Sequence, residues 1–346
     1  MKLGQYRSMR DFAKTPEPAG TDQPAGDDHG SRFVVQEHHA TALHWDVRFE
    51  RDGVLVSWAV PKGLPPDPRE NHLAVHTEDH PMEYLEFDGD IPEAEYGGGR
   101  VQLWDTGTYV TVKWEDREVV VVLDGRRVRG RYAFIRTRGR DWLVHRMDPP
   151  QDPDRRLMPP GLRPAAHRAG RVPRQPERYA FEPVFGGLRV VVSSSGGRIT
   201  VTDESGGNVT ERFPELSALG RALGATEVAL DGEIVGDPAA LARRATLRSD
   251  SARRRAARDT PLAFVAADVL WLEGHPTDAL PFAERRRLLE DLALTGPAWQ
   301  TTPSHRGEGR ALLAASREHG LAGVLARPLD RPGPATFVPS ERGDSR

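Results

Sequence analysis

The chain has 346 residues, 38% of them hydrophobic, and a formal net charge of -3, a length that supports two domains with separate cores. It contains no cysteine, which excludes disulfides, thiolate metal sites and cysteine nucleophiles, so any metal must be held by His, Asp or Glu. No run approaches the roughly 18 apolar residues of a spanning helix, and the first residues, with Arg7, Arg10, Asp11 and Lys14, do not read as a secretory signal, so a cytoplasmic protein is expected.

Residues 1–30 join a short charged segment to Pro16, Pro18, Gly20, Pro24 and Gly26, a composition that reads as an arm folding over something else. Short alternating or β-branched runs follow at 33–36, 44–49, 54–60, 73–76, 101–110, 119–123, 132–136 and 142–146, separated by Gly, Pro and Asp turns. This pattern predicts an all-β domain, a small barrel or sandwich. In the second run, His44-Trp45-Asp46-Val47-Arg48-Phe49 alternates, so a strand points His44, Asp46 and Arg48 to one face and buries Trp45, Val47 and Phe49 on the other. His38 lies six residues before His44, about 20 Å away on an extended chain at roughly 3.3 Å per residue. Residues 40–42 must therefore turn back if His38 is to join the same wall.

Two imidazoles and a carboxylate leave open coordination positions and suit manganese, iron, cobalt or zinc better than magnesium or calcium, with Arg48 as a ready phosphate clamp. The bland alternative is three polar residues facing solvent on an ordinary strand. Gln36 and a second cluster at Asp79-His80-Pro81-Met82-Glu83-Tyr84, where the proline fixes the backbone after His80, weigh for a site.

The slightly acidic balance does not announce nucleic-acid binding, which has to rest on local arginine clusters. Arginines at 127, 129 and 131 and again at 136, 138 and 140 predict two adjacent strands with cationic faces, a backbone-phosphate surface that includes Arg127, Arg129 and Arg138. A further cluster, Arg243, Arg244, Arg248, Arg253, Arg254, Arg255 and Arg258, lies in an alanine-rich helical stretch and reads as a solvated face. Between them, residues 151–177 carry many prolines and arginines without apolar periodicity, the composition of an interdomain linker. Beyond it, strands at 188–193, 198–202, 227–235, 263–271 and 323–326 mix with helical stretches at 215–222, 282–292 and 311–319, which predicts an α+β domain over 178–346.

Taken together, Arg10-Asp11, Glu17, Phe33-Val34-Val35-Gln36, His38, His44, Asp46, Arg48, Trp58-Ala59-Val60-Pro61-Lys62-Gly63 and Asp79-His80-Pro81 with Tyr84 resemble the 3′-phosphoesterase domain of bacterial DNA ligase D. The resemblance covers residues 1–150, with the domain proper at 31–150 behind the arm. It implies a small closed β-barrel with short helices, a single manganese ion for which cobalt or another divalent transition metal can substitute, and removal of 3′-phosphates and 3′-terminal ribonucleotides from DNA in non-homologous end joining. His38, His44 and Asp46 would be the metal ligands, and Gln36, Arg48, Lys62, His80 and Tyr84 would surround the phosphate, with His80 as hydrogen-bond donor or general acid. Arg10, Asp11 and Glu17 of the arm would help to shape the pocket. His72 stands where relatives usually carry arginine, which implies a weaker or more pH-dependent phosphate contact.

Glu182-Pro183-Val184-Phe185-Gly186-Gly187-Leu188-Arg189 sits where ATP-dependent DNA ligases carry Glu-x-Lys-x-Asp-Gly-x-Arg. Residues 178–346 thus resemble a nucleotidyltransferase-like adenylation domain that is catalytically degenerate. Val184 replaces the nucleophilic lysine, Gly186 an aspartate, Glu204 an arginine, Ala322 a metal-binding glutamate and Arg327 a lysine, while Asp231-Gly232-Glu233-Ile234-Val235 and Phe213-Pro214-Glu215-Leu216 survive. No cofactor-binding residues and no ATP requirement are expected. The partners implied are DNA 3′ ends, as duplex or primer-template, with a separate DNA ligase and Ku, in a nucleoid-associated setting and with no membrane. The alternatives are a true ATP-dependent ligase or nucleotidyltransferase, a non-catalytic DNA-end scaffold that recruits a ligase, and a two-histidine, one-carboxylate iron oxygenase, whose chemistry gives Arg48 and Lys62 nothing to do.

Overall fold

The alternating runs become strands in the structure, a computed structural model that describes residues 3–20 and 31–340. Residues 1, 2 and 21–30 of the expected arm, and 341–346 of the expected second domain, lie outside the described residues. The chain divides into two compact units, Met1–Pro153 and Asp154–Arg346.

The first unit opens with helix α1 (Gly4–Ser8) and continues with β1 (Arg32–His39), β2 (Leu43–Arg51), β3 (Val54–Val60), β4 (Asn71–His76), β5 (Gly89–Ile91), β6 (Gly99–Glu115), β7 (Glu118–Gly125), β8 (Arg129–Arg138) and β9 (Asp141–Arg146). Hydrogen bonds run in the order β1-β2-β3-β4-β9-β8-β7-β6, and β6 pairs back with β1. Eight strands thereby close into a barrel with no open edge, and the short β5 flanks β6 outside the ring. The eight runs read from the sequence are these eight barrel strands; β5, only three residues long, left no periodicity to read.

The inward side of β2 behaves as alternation dictates. Trp45, Val47 and Phe49 are each at most 1% exposed, and Phe49 meets Phe134 at 5.7 Å and Trp58 at 5.9 Å between ring centroids. Each such ring removes on the order of 150–250 Å² from water, about 4–6 kcal/mol of gross driving force at roughly 25 cal/mol/Å². The outward side of β2 would ordinarily meet solvent, yet Asp46 and Arg48 are buried too. A separate apolar cluster lies over this outer wall, in which Tyr6 from α1, Leu55 from β3 and Tyr84 from a 3-10 turn (Met82–Leu85) pack with Phe12, Met82, Leu85 and Phe87.

The arginine runs differ from expectation. Arg129, Arg131, Arg136 and Arg138 all belong to β8, Arg127 lies in the turn before it and Arg140 in the turn after it. The two cationic groups are therefore opposite ends of one strand, about 30 Å apart at roughly 3.3 Å per residue, and not neighbouring strands. Gly139, with φ of +56°, makes the tight turn into β9 that the alternation alone did not reveal.

The second unit contains β10 (Arg168–Ala169), β11 (Tyr179–Val184), β12 (Leu188–Ser195), β13 (Arg198–Asp203), α2 (Ser217–Leu223), β14 (Val228–Val235), α3 (Pro238–Arg244), α4 (Asp250–Asp259), β15 (Ala263–Leu272), β16 (His275–Pro276), α5 (Phe282–Asp291), β17 (Thr295–Gly296), β18 (Trp299–Thr301), β19 (His305–Arg306), α6 (Gly309–Glu318), β20 (Gly323–Pro328) and β21 (Thr336–Pro339). One sheet has the order β10-β21-β20-β11-β19, the other β13-β12-β14-β15-β18-β17, and a core around Val190, Leu230, Phe264 and Leu289 joins the second sheet to its helices. The architecture is α+β.

From Asp154 on, the stretch expected to be a linker is part of this unit. Arg155 pairs with Glu227, Met158 and Leu162 pack on Val191 and Trp271, and the Ala165 N–H donates to Asp231 at 2.9 Å. Its prolines prevent a long ladder, but its arginine and apolar side chains still find partners on the sheet. The cluster read as a solvated face also has an exception, since Arg244 is 1% exposed and bonds Glu215 and the carbonyls of Arg212 and Thr260.

Candidate metal centre

Residues 40–42 turn the chain as the ligand hypothesis requires, and the hairpin register sets His38 opposite His44 and Gln36 opposite Asp46. Directly opposed residues share a face, so all four side chains stand on the outer wall. One ligand atom from each of His38, His44 and Asp46 lies within 4.8 Å of the others.

The backbone fixes which ring nitrogen each imidazole offers. His38 Nε2–H donates to the Gly97 carbonyl at 2.8 Å and His44 Nδ1–H to the Ala42 carbonyl at 2.9 Å. The lone pair is left on His38 Nδ1, 3.5 Å from Asp46 Oδ2, and on His44 Nε2, 3.7 Å from Asp46 Oδ1. Anchoring the second nitrogen on a carbonyl orients a ligating imidazole and raises its basicity. The donor set fits a divalent transition ion. Burial works against charge on Asp46, but the neighbouring Arg48 guanidinium leads the interactions that outweigh it and hold the carboxyl well below the usual carboxylate range.

Arg48, 3% exposed, is held from three sides. Its Nε donates to Gln36 Oε1 at 2.7 Å, Nη1 to Ser57 Oγ at 3.1 Å and Nη2 to Asp46 Oδ2 at 2.9 Å, and it lies over the Tyr84 ring at 4.9 Å. Gln36 spends its other atoms on the Tyr84 and Phe87 carbonyls, at 3.0 and 2.8 Å. Gln36, expected beside the phosphate, forms a bracket between Arg48 and the 82–87 segment.

A second arginine comes from the arm. Arg10 donates to Glu17 at 2.7 Å and Glu78 at 3.1 Å, covers the Tyr6 ring at 3.9 Å, and sets Nη2 3.4 Å from His80 Nε2. Glu17 also accepts from Thr15 and from the Tyr84 hydroxyl, so Glu17 and Tyr84 serve Arg10 before any substrate arrives. His80 donates Nδ1–H to the Glu78 carbonyl at 2.8 Å. Burial, with Arg48 and Arg10 adding to it against the pull of Asp46, drives its pKa well below the ordinary histidine value. Before any substrate arrives, His80 thus holds Nδ1–H on the Glu78 carbonyl and Nε2 beside Arg10.

Lys62 is exposed on the turn after β3. His72 is buried with Nδ1 on the Gly63 carbonyl at 2.7 Å, and burial lowers its pKa, so it braces that turn as a neutral group. The structure does not bring Asp11 to the cluster; its exposed carboxylate bonds Ala13 N–H and Lys14 within a local turn. Arg127 lies over Trp104 at 5.2 Å, while Arg129 and Arg138 are exposed on β8, four strands from β2 in either direction around the ring. The sequence reading missed Tyr6, Ser57 and Glu78. Tyr6 falls four residues before Arg10 and Glu78 two before His80, spacings that become informative only once the arm is known to cover this wall.

Residues 36–136 match the family described as DNA Ligase D 3'-phosphoesterase domain, and residues 171–343 the family described as ATP dependent DNA ligase domain. The multifunctional non-homologous end joining protein LigD of Mycobacterium bovis is 44% identical over 338 residues, covering 95% of this chain and 43% of that protein. The protein of that name from Mycolicibacterium smegmatis is 38% identical over 356 residues, covering 99% of this chain and 45% of the relative. The chain thus spans less than half the length of these curated relatives. A solved mycobacterial DNA ligase D complexed with ATP and MES aligns at 30% identity with a TM-score of 0.43, over 53% of this chain and 62% of that one. With both matches in order along one polypeptide, the chain carries a DNA ligase D 3′-phosphoesterase domain followed by an ATP-dependent DNA ligase domain, and by the latter belongs to the ATP-dependent DNA ligase family.

Proposed function

We propose that this chain is a manganese-dependent phosphoesterase that removes 3′-phosphates and 3′-terminal ribonucleotides from DNA ends in non-homologous end joining. The observation that carries the reading is the convergence of His38, His44 and Asp46 within 4.8 Å, beside a bracketed Arg48. A bound divalent ion, manganese or cobalt, would withdraw charge from the phosphate and acidify a water. The protein's own share is positioning. Three of Arg48's five N–H donors are engaged, leaving two for phosphate oxygens in a buried setting where charge-assisted bonds are strong. His80, with Nε2 beside Arg10, serves as hydrogen-bond donor or general acid once a neighbouring phosphate favours its protonated form, and Lys62 supplies a flexible charge to the incoming strand.

For residues 154–346 we propose a docking role, gripping duplex DNA or a separate ligase and acting alongside Ku. Val184 has no amine to form a phosphoramide with ATP, and Arg327 is committed to Glu182 at 2.7 Å and Asp268 at 2.8 Å. In domain terms, we assign an arm at 1–30, the barrel domain at 31–150 and a ligase-like domain from 178, with the stretch between them packed into the second compact unit from Asp154 on.

The test is hydrolysis of a 3′-phosphorylated duplex and of a 3′-monoribonucleotide primer-template with manganese, for the native chain and His44→Ala. Release of phosphate and of the terminal ribonucleotide by the native chain alone supports the reading, and equal turnover by both chains defeats it. Incubation with labelled ATP should leave no covalent adenylate.

A further inference from the structure

One end of the barrel is not filled. A cavity of about 430 Å³ opens among inward-facing residues of β3, β4, β6 and β9, within the size range of small-molecule sites, for which barrel mouths are a common location. Its walls are aromatic, formed by Trp58, His76, Trp114 and Trp142. Trp58 stands 5.5 Å from Trp142 and 6.3 Å from Trp114 between ring centroids, and His76 6.0 Å from Trp142. Trp58 is 1% exposed, and its indole N–H has no hydrogen-bond partner among the described residues. A buried donor left unmatched is uncommon in folded proteins and calls for an explanation.

Arg136 and Arg140 also line the opening, each pinned through Nε, to the Gly139 and His76 carbonyls at 2.8 Å. Glu115 and Asp116 line it as well, so its charges balance. That favours a ligand recognised by a flat ring and a polar edge over a bare polyanion. Only four residue steps separate His76 in its wall from His80, which sits beside Arg10 of the covered outer wall, at most about 14 Å of chain.

We propose that this cavity receives an unpaired nucleobase of the DNA strand whose 3′ end occupies the metal centre, an inference that rests on the phosphoesterase reading. The base stacks on the tryptophans, and the adjoining phosphate meets Arg136 and Arg140. Stacking on aromatic side chains tolerates any base, so the site selects ends with an unpaired nucleotide at a fixed distance from the terminus, whatever its sequence.

The test uses the full chain with His44→Ala to prevent turnover, and oligonucleotides bearing a 3′-phosphate and 2-aminopurine at successive upstream positions. One position within about four nucleotides of the end, from roughly 3.4 Å per nucleotide, should lose emission on binding. Trp114→Ala should restore that emission and weaken binding roughly 5- to 150-fold, the range of base–aromatic stacking. In the chain with His44 intact, an abasic residue at the same position should raise KM by a similar factor and leave kcat unchanged, which keeps the test decisive if the tryptophan variant does not fold. Emission that is uniform along the strand, with abasic substrates turned over like the parent, overturns the proposal and leaves the phosphoesterase reading intact. Position-specific loss of emission in a protein that hydrolyses no 3′-phosphate supports the cavity and sinks the phosphoesterase reading instead.

Discussion

Replacing Gln36 by leucine should damage the site without touching a metal ligand. Gln36 is wholly buried, and the change removes its bond to Arg48 Nε at 2.7 Å and its two bonds to the Tyr84 and Phe87 carbonyls. A hydrogen bond to a charged group is worth about 1.5–3 kcal/mol and each neutral one about 0.5–1.5, while the buried leucine returns about 1.5–3 through its apolar surface. The net loss is roughly 2–4 kcal/mol once partners left bare in the interior are included. At a urea slope of about 1–3 kcal/mol per molar, the midpoint should fall by roughly 1–2 M. Tryptophan fluorescence follows this directly, because Trp45, Trp58, Trp104, Trp114 and Trp142 all lie before Pro153. Manganese-dependent release of 3′-phosphate should fall as well, since Arg48 loses its bracket. Gln36→Glu keeps an acceptor for Arg48 but aims carboxylate oxygen at two carbonyls, and should fall between the native chain and Gln36→Leu. A Gln36→Leu protein with native midpoint and native turnover would refute the bracket.

His44→Ala should abolish manganese-dependent hydrolysis while shifting the urea midpoint little, because the imidazole is 20% exposed and outside the barrel interior; retained turnover would remove it from the ligand set. Arg10→Met leaves Glu17 and Glu78 without their buried cation, which should cost about 3–5 kcal/mol in the first unit and is read from the same titration. Arg129→Ala should leave KM for a short 3′-phosphorylated duplex within about twofold, since Arg129 starts β8 at the end away from the cavity-lining Arg136, β8 lies across the ring from β2 and screening at physiological salt acts over about 8 Å. In the second unit, burial and the charges of Arg189 and Arg327 hold His167 down to about 3. The folded unit then binds fewer protons than the unfolded chain between pH 3 and 6.5, so the stability His167 confers is whole above pH 6.5 and is lost as pH falls toward 3. Asp231, pushed up to about 6 by burial, has the opposite sign, losing stability as pH rises from 3.8 to 6, and stays in place in both proteins compared. His167→Gln should therefore flatten the loss of stability between about pH 7 and about pH 4.5, measured as urea midpoints.

The barrel was legible because period-two alternation is strong wherever one face is buried, and Trp45, Val47 and Phe49 write it plainly. The hairpin at 40–42 followed from a distance argument alone. What alternation could not carry was the second layer. Nothing local to β2 says that its polar side is covered by Tyr6 and Tyr84, because that covering comes from 42 and 36 residues away along the chain. For the same reason the sequence did not show that Gln36 braces Arg48, or that Glu17 accepts from both Arg10 and the Tyr84 hydroxyl. The arginine alternation failed because what the pattern suggested were two strands is the single strand β8, and the tight turn comes only after it, at Gly139. In the second unit the elements were readable from periodicity, but the docking of 155–169 was not, since proline-rich segments bind through isolated side chains that leave no period.

Strand β2 sends odd-numbered residues from 45 to 49 into the aromatic interior and even-numbered residues from 44 to 48 to the outer wall. Deleting a single residue there would exchange the two sets, putting tryptophan where the arm expects carboxylate and imidazole where the interior expects an indole. Folding thus proofreads chemistry in this chain: a barrel that closes in the wrong frame loses its hydrophobic interior and its His38–His44–Asp46 cluster in the same step.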